Sequence, residues 1–471
     1  MLGLDTNVLV RYLVRDGSLQ FEKAIRSYPV LSRVIGGMHF ALVIFFNFAL
    51  LLNWRLAVSP KFVESGVSQR LLAELADSPG MRECIQFFSR EKQWINEQHL
   101  QLSRVPAPTF FEAKRAEWML AQLRALGCTA RLDRAGNVIA HPFENREGPY
   151  VALTAHLDTV LAPRKDDEIH FAPDGRLLGP GVSDNGAGLA ALLSIARVLR
   201  ACPSIEKDLW APLVLIANVG EEGEGNLSGM RYLCRQSNTG GKVRAFLILD
   251  GPSTDHITAF ALASRRFDIN ISGPGGHSWS DYGLVNPVHA LSRAIVNFNE
   301  LRLPANVSPR SSYNFGLIEG GSSINSIPTH ARAKVDIRSE SVSKLDEVAA
   351  HLTTSVERAV EEENERASSG RLAAKIKEIG SRPGGRLAAD APILQHIHAV
   401  DTFLGIRSHV DCASTDANIP LSLGLPAISI GVGGQGGGAH TPQEWFHPEG
   451  RETGLKRILF TLLLLLRDLA Q

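Results

Sequence analysis

Cysteine is scarce in this sequence: five residues in 471, Cys84, Cys128, Cys202, Cys234 and Cys412, with no CxxC pair among them. An odd, scattered set excludes a disulfide framework and fits reduced thiols in a cytosolic protein. Net charge is also absent, because 49 Lys and Arg balance 49 Asp and Glu. Nothing in that balance suits nucleic acid or another polyanion as partner. No long internal repeat or low-complexity tract is present. Long uncharged runs are few. VIGGMHFALVIFFNFALLLNW, residues 34–54, contains no Asp, Glu, Lys or Arg and has about the length needed to span a bilayer. Gly36, Gly37, His39, Asn47 and Asn53 interrupt it, and it lies too far from Met1 for an ordinary signal peptide. The expectation is a cytoplasmic protein, with a membrane anchor at 34–54 as the alternative.

The rest is ordinary for a folded chain, 44% hydrophobic and 21% charged. Single cores stop growing near ~250–300 residues, so at least two domains are expected. Residues 1–66 differ in character from the remainder of the chain. MLGLDTNVLVRYLVRDG resembles the start of PIN-domain ribonucleases, in which the first Asp, here Asp5, binds a metal. The resemblance covers only that opening, so the segment is expected to be an extension without nuclease activity. From Val67 the chain is helix-rich, and FEAKRAEWMLAQLRALG places apolar residues at helical spacing before a terminal Gly127. Short apolar runs then alternate with helices, the pattern of an α/β sheet layered with helices on both faces. Between residues 263 and 379 the order is strand, helix, strand, strand, helix, strand, which predicts an inserted ferredoxin-like α+β unit. The larger layered domain is thus expected at 67–262 and 380–471. The apolar C-terminal run LFTLLLLLRDLAQ is too short to span a membrane and is expected to pack on the sheet.

Four apolar runs each deliver a metal-competent residue at or just after their ends. VALTAHLD supplies His156 and Asp158, LVLIANVGEE supplies Glu221 and Glu222, AFLILD supplies Asp250, and AISIGVGGQGGGAH supplies His440. Ligands of open α/β sheets bind outside the carboxyl ends of the strands. Asp184, in GPGVSDNGAG before an apolar helix, is a fifth candidate, although it could instead cap that helix. Asp250 could merely open a turn with Gly251 and Pro252. Two His with several carboxylates and no Cys suit Zn²⁺, Co²⁺ or Mn²⁺. Five ligands exceed the needs of one tetrahedral ion and suit a pair about 3.5–4 Å apart that shares a water of pKa near ~7. His156 and Asp158 are two apart on a strand and face the same way, so the Asp158 carboxylate is expected to accept from the imidazole. Ser414, Thr415 and Asp416 either line the pocket or cap the next helix, with capping favoured. Cys412 has no placed His or Asn partner and is not read as a nucleophile.

The strings AHLDTV, GPGVSDNGAG, VGEEGEGNLSGMRYL, LILDG, GPGGHSW, GGSSINSIP and GGGAHTPQEW, taken in order, resemble the M20 metallopeptidases and deacylases. That resemblance implies a zinc-exopeptidase-like catalytic domain with a lid and dimerisation domain inserted at 263–379. It implies two divalent ions, one held by His156, Asp184 and Asp250 and the other by Asp184, Glu222 and His440. Glu221 would be the general base, Asp158 the partner of His156, and a cis peptide would follow Asp184. His277, Asn325 and Arg338 would approach the substrate from the lid, His277 across a homodimer. The implied substrate is a di- or tripeptide cut as an exopeptidase, with an N-acyl amino acid as the alternative. Asn185 departs from the pattern, standing where many members have a second acid.

Overall fold

The computed structural model describes residues 61–470 apart from 144–147, 209–210, 236–241 and 306. The PIN-like opening with Asp5 and the apolar segment 34–54 lie outside the described residues. Among the described residues no helix is long and apolar enough to cross a membrane. The chain divides after Gly66, and the sheets and candidate ligands all belong to the unit Val67–Gln471.

Among the described residues four helices come first: α1 (Lys61–Asp77), α2 (Pro79–Arg90), α3 (Lys92–Arg104) and α4 (Ala113–Ala125). The strands follow as β1 (Thr129–Leu132), β2 (Val138–His141), β3 (Tyr150–His156), β4 (Leu213–Asn218), β5 (Val243–Leu249) and β6 (His256–Ala261). Next come β7 (Ala263–Ser272), β8 (Ser311–Gly320), β9 (His330–Ser339) and β10 (Ala373–Arg382). The two main sheets are completed by β11 (Gly385–Arg386), β12 (His409–Ala413) and β13 (Ala427–Ile430). The larger sheet runs β1-β2-β4-β3-β5-β13-β6-β11, with β12 beside β6. Its centre, β4-β3-β5-β13, is parallel, and its flanking pairs are antiparallel except for β12, which runs parallel to β6. Buried parallel strands carry continuous apolar runs. LVLIAN and AISI are accordingly buried at every position. Helix α5 (Gly186–Ala201) packs against β3, β4 and β5. GAGLAALLSIARVLRA is apolar nearly all round, because the N-terminal helices cover its other side. The C-terminal run forms a long helix (Arg451–Leu469) and packs on β3 and β5, as its composition predicts.

The stretch after β6 forms a second, antiparallel sheet in the order β8-β9-β7-β10. Helices α7 (Pro287–Asn299) and α8 (Val342–Arg366), counted after the short α6 (Ser228–Leu233), cover one face. Phe267, Ile269, Ile271, Val335, Ile337, Phe298 and Leu352 make a core there that is separate from that of the larger sheet. Strand alternation sends Ser264, Arg266 and Asp268 to the opposite face, beside Arg338, Asp336 and Lys334 of β9. Sequence patterning ends the last strand at Ile379. The strand instead runs to Arg382, because Gly380 marks a bulge against β7 rather than a stop.

Candidate metal centre

The parallel centre of the sheet concentrates the candidate ligands at one edge. His156 ends β3, Glu221 and Glu222 follow β4, Asp250 follows β5, and the loop after β13 leads to His440. Gly220 makes the turn after β4 with φ of +66°, and a Cβ there would lie 2.1 Å from Ser228 Oγ. Asp184 arrives from the loop before α5 through a cis peptide to Asn185. Asn185, not Asp184, caps that helix: its Oδ1 accepts from Gly188 N, and its Nδ2 donates to Leu249 O at 2.8 Å. The amide therefore ties the Asp184 loop to the end of β5, a task for which a second acid lacks the donor.

Two triads result. His156 Nε2 lies 3.1 Å from Asp184 Oδ1 and 3.8 Å from Asp250 Oδ1. His440 Nε2 lies 3.1 Å from Asp184 Oδ2 and 3.0 Å from Glu222 Oε1. Donor atoms 2.0–2.2 Å from one tetrahedral ion are about 3.4 Å apart, so both triads have the spacing that a divalent ion spans. Asp184 presents one oxygen to each triad. Glu221 joins His156 and Glu222 in a third group, its donor atom within 4.8 Å of theirs. His156 is buried, whereas the His440 side chain is half exposed on a left-handed backbone, φ +66°, so the centre opens on that side.

Asp158 acts differently from the expectation. His156 Nδ1 meets the backbone carbonyl of Asp158 at 2.9 Å, and the Asp158 carboxylate stands 3.6 Å away, too far for a hydrogen bond. The chain leaves the strand at His156, so strand alternation no longer governs Asp158. The carboxylate instead accepts from Glu221 N at 2.9 Å, Glu222 N at 2.8 Å and Thr109 Oγ1 at 3.0 Å. It fixes the backbone that carries both glutamates.

Two residues at the centre, Glu444 and Arg382, escape sequence reasoning. Glu444 is buried and accepts from Gly181 N, Ser183 N and Asp184 N at 2.7–2.8 Å, shaping the Asp184 loop. Arg382, at the end of β10, is buried against Glu221: Nη1 donates to Oε1 at 2.9 Å and Nη2 to the backbone carbonyl. Ser414 Oγ accepts from the same guanidinium, so Ser414 lines the site, while Thr415 makes the turn contacts. Asp416 is buried and accepts from Asn218 Nδ2 at 2.7 Å. The only signal for Glu444 was its place inside GGGAHTPQEW, and Arg382 had none beyond a basic residue after a glycine.

The electrostatics follow from crowding. Burial opposes protonation of His156, but Asp158, Asp184 and Asp250 together push its pKa well above the ordinary value. Asp184, paired with Glu222 around His440, raises that imidazole to about 10. Burial would raise Asp184 and Asp158, yet their histidine partners hold both below the usual carboxylate range. Burial lifts Glu221 well above it, against the attraction of Arg382 and His156 and with help from Glu222 and Asp416. Asp416 and Glu444 each rise to about 7, chiefly through burial. Burial also raises the Cys412 thiol to about 11, which suits its rejection as a nucleophile.

The residues assigned to the second sheet are not all at the centre. Arg338 sits on the open face, bonded to Asp336, with Ser264 between it and Arg382 in the same row. His277 and Asn325 lie on a short ribbon in which Gly276 pairs with Ile327 and His277 with Ser326. That ribbon follows Ser272, about 30 Å along β7 from the end that meets Glu221. His277 Nδ1 accepts from Trp279 N and Ser280 N, which leaves Nε2 to carry the proton of the neutral ring.

Residues 152–463 match the model of peptidase family M20/M25/M40. A probable carboxypeptidase of Aspergillus terreus is 30% identical over 222 residues, 43% of this chain and 47% of that protein. The chain spans about half the length of the curated relatives it matches. The aminopeptidase PepT structure from Bacillus cereus superposes with a TM-score of 0.62 at 21% identity, covering 79% of this chain and 98% of that one. A dinuclear metal binding peptidase from Bacillus subtilis superposes with a TM-score of 0.59 at 15% identity, covering 80% and 99%.

Proposed function

The chain belongs to peptidase family M20/M25/M40, and from that premise we propose that it is a two-metal hydrolase cleaving an amide bond of di- or tripeptides as an exopeptidase. The observation that carries this reading is Asp184, one oxygen 3.1 Å from His156 and the other 3.1 Å from His440. His156, Asp184 and Asp250 would hold one ion, and Asp184, Glu222 and His440 the second. The nitrogen and oxygen donors suit zinc, with cobalt or manganese as substitutes. Such ions supply Lewis-acid polarisation of a carbonyl oxygen and a water that ionises near neutral pH.

The other roles belong to the chain's own residues. Glu221 takes the proton of the attacking water and passes it to the leaving amine. Asp158 holds the backbone of Glu221 and Glu222, and Glu444 holds that of Asp184. Residues 263–379, with the last strand running on to Arg382, act as lid and dimerisation domain. β8 has no second strand beside it among the described residues, an edge at which a second copy can dock. His277, with its proton on Nε2, would donate to the developing oxyanion of the partner's site, beside Asn325, while Arg338 faces the substrate from the lid.

Peptides are favoured over N-acyl amino acids because the matched relatives carry carboxypeptidase and aminopeptidase names. The test is hydrolysis of tripeptides, dipeptides and N-acetyl amino acids with added Zn²⁺, Co²⁺ or Mn²⁺ and a chelator control. Chelator-sensitive release of free amino acids from peptides is expected. Cleavage of the N-acetyl compounds alone would transfer the reading to deacylation, and a chain that binds no metal would overturn it.

A further inference from the structure

The loop that carries Glu221 is held from two sides by unlike means. From the larger sheet, Asp158 takes its backbone N–H groups. From the smaller sheet, Arg382 takes the Glu221 carboxylate at 2.9 Å and its carbonyl. The two side chains are each only 6% exposed, so the pair is shielded from the screening that makes surface ion pairs weak. The same face of the smaller sheet makes further bonds to the loop. Arg266 donates to Gly223 O, and Lys334 pairs with Glu224 at 3.1 Å. Ser381 N donates to Asn226 Oδ1 at 3.2 Å, and Arg231 donates back to Ser381 O.

We infer that Arg382 is a positioning residue for Glu221, setting the direction of its carboxylate and coupling that direction to the seating of the 263–382 sheet on the 221–226 loop. The inference rests on Glu221 being the general base. Two features support a positioning role over a stabilising one. A fork that grips both the side chain and the carbonyl of one residue fixes its torsions, which a point charge does not. Arg382 Nε is meanwhile buried without a partner, a cost that native proteins accept at functional sites more readily than in ordinary cores. Arg382 leaves Asp184 and His440 alone, so its removal should spare the metal triads.

The experiment uses the metal-loaded enzyme and the peptide that it cleaves best, with variants R382A, R382K and E221A. R382A is expected to keep wild-type metal content and KM while kcat falls roughly 10- to 100-fold, the effect of losing a bond to a charged group. Free guanidinium should restore part of the kcat of R382A and none of that of E221A. R382K, which keeps the buried charge and so guards against misfolding, should retain wild-type KM at reduced kcat. Wild-type kcat in R382A and R382K, beside an inactive E221A, would overturn the inference alone. A rise in KM at constant kcat would also overturn it, placing Arg382 on the substrate instead. Activity retained in E221A would remove the general-base reading beneath it.

Discussion

Replacing Asp158 with Asn tests whether a residue that touches no proposed ion governs the centre. The carboxylate is fully buried and splits its work: Oδ1 accepts from Glu221 N, while Oδ2 accepts from Glu222 N and Thr109 Oγ1. An amide can reproduce only one of these oxygens. Its NH₂ group must face a backbone N–H that has no other bond, leaving a buried donor unpaired at about 1–3 kcal/mol. The surviving bond loses its charge, which weakens it by about half. The charge 3.6 Å from His156 Nδ1 also disappears, reducing ligand basicity. Together these come to about 3 kcal/mol, or roughly 100-fold, consistent with the ~10–100-fold effects of removing such supports. The assay pairs a competitive chelator titration of metal affinity with kcat/KM on one peptide. D158N should lose one or both by that factor while still folding. Values within threefold of wild type on both would refute the reasoning. The acid limb gives an independent check. Because Asp158 is held below its ordinary value, its contribution to stability is present above about 3.9 and is lost as pH falls through the lowered folded value. D158N should lack that part of the acid unfolding slope in the metal-free protein.

Four further predictions concern other parts of the centre. Glu221→Ala should reduce kcat by about 10²–10⁴-fold with both ions retained, as measured by steady-state kinetics beside metal analysis; near-wild-type turnover would remove the base assignment. His440, raised to about 10 from an ordinary 6.5, contributes stability to the metal-free protein that is complete below 6.5 and lost as pH rises toward 10. Thermal unfolding across that window should show the decline, and H440Q should not. Metal binding near pH 8 should accordingly release protons from His440 and His156, read by calorimetry in buffers of different ionisation enthalpy; a release of zero would contradict the proposed ligands. Glu444→Gln should leave one of the three N–H groups at Gly181, Ser183 and Asp184 unpaired, lowering stability by about 1–3 kcal/mol and weakening metal binding; unchanged chelator competition would sink it.

Four of the ligands were legible because each terminates or follows a buried strand, and continuous apolar runs announce such strands in one dimension; Asp184 was legible instead from the glycine-rich loop that opens an apolar helix. His156 after YVALTA and Asp250 after FLIL need no tertiary information beyond the rule that α/β sites gather at strand ends. The supporting contacts were not legible for the opposite reason, although Asp158 itself is singled out by sequence as a partner of His156. Asp158 and Glu444 act on backbone N–H groups, which every non-proline residue possesses, so no pattern in the partner residues betrays them. Asn185 looked like a departure because its value is that of a donor, aimed at the carbonyl of Leu249, 64 residues away.

Arg382 shows where local reading fails for a definable reason. A glycine in a strand pattern has two meanings, an end or a bulge, and only the partner strand decides between them. Gly380 lies opposite Arg266, where the pairing with β7 shifts register and then continues, so the strand delivers one more outward residue. That residue is Arg382, opposite Ser264 and in the same row as Arg338. Without the bulge, the alternation of β10 would turn the Arg382 position toward the helix-covered face, and the guanidinium could not meet Glu221. Inserting one residue between Gly380 and Ser381 should therefore mimic R382A in kcat, with the metal triads intact, because it moves Arg382 one place along the strand and flips the side chain without removing it. Steady-state kinetics and metal analysis of that insertion check this, and an insertion variant that folds with wild-type kcat would show that the strand register does not aim Arg382.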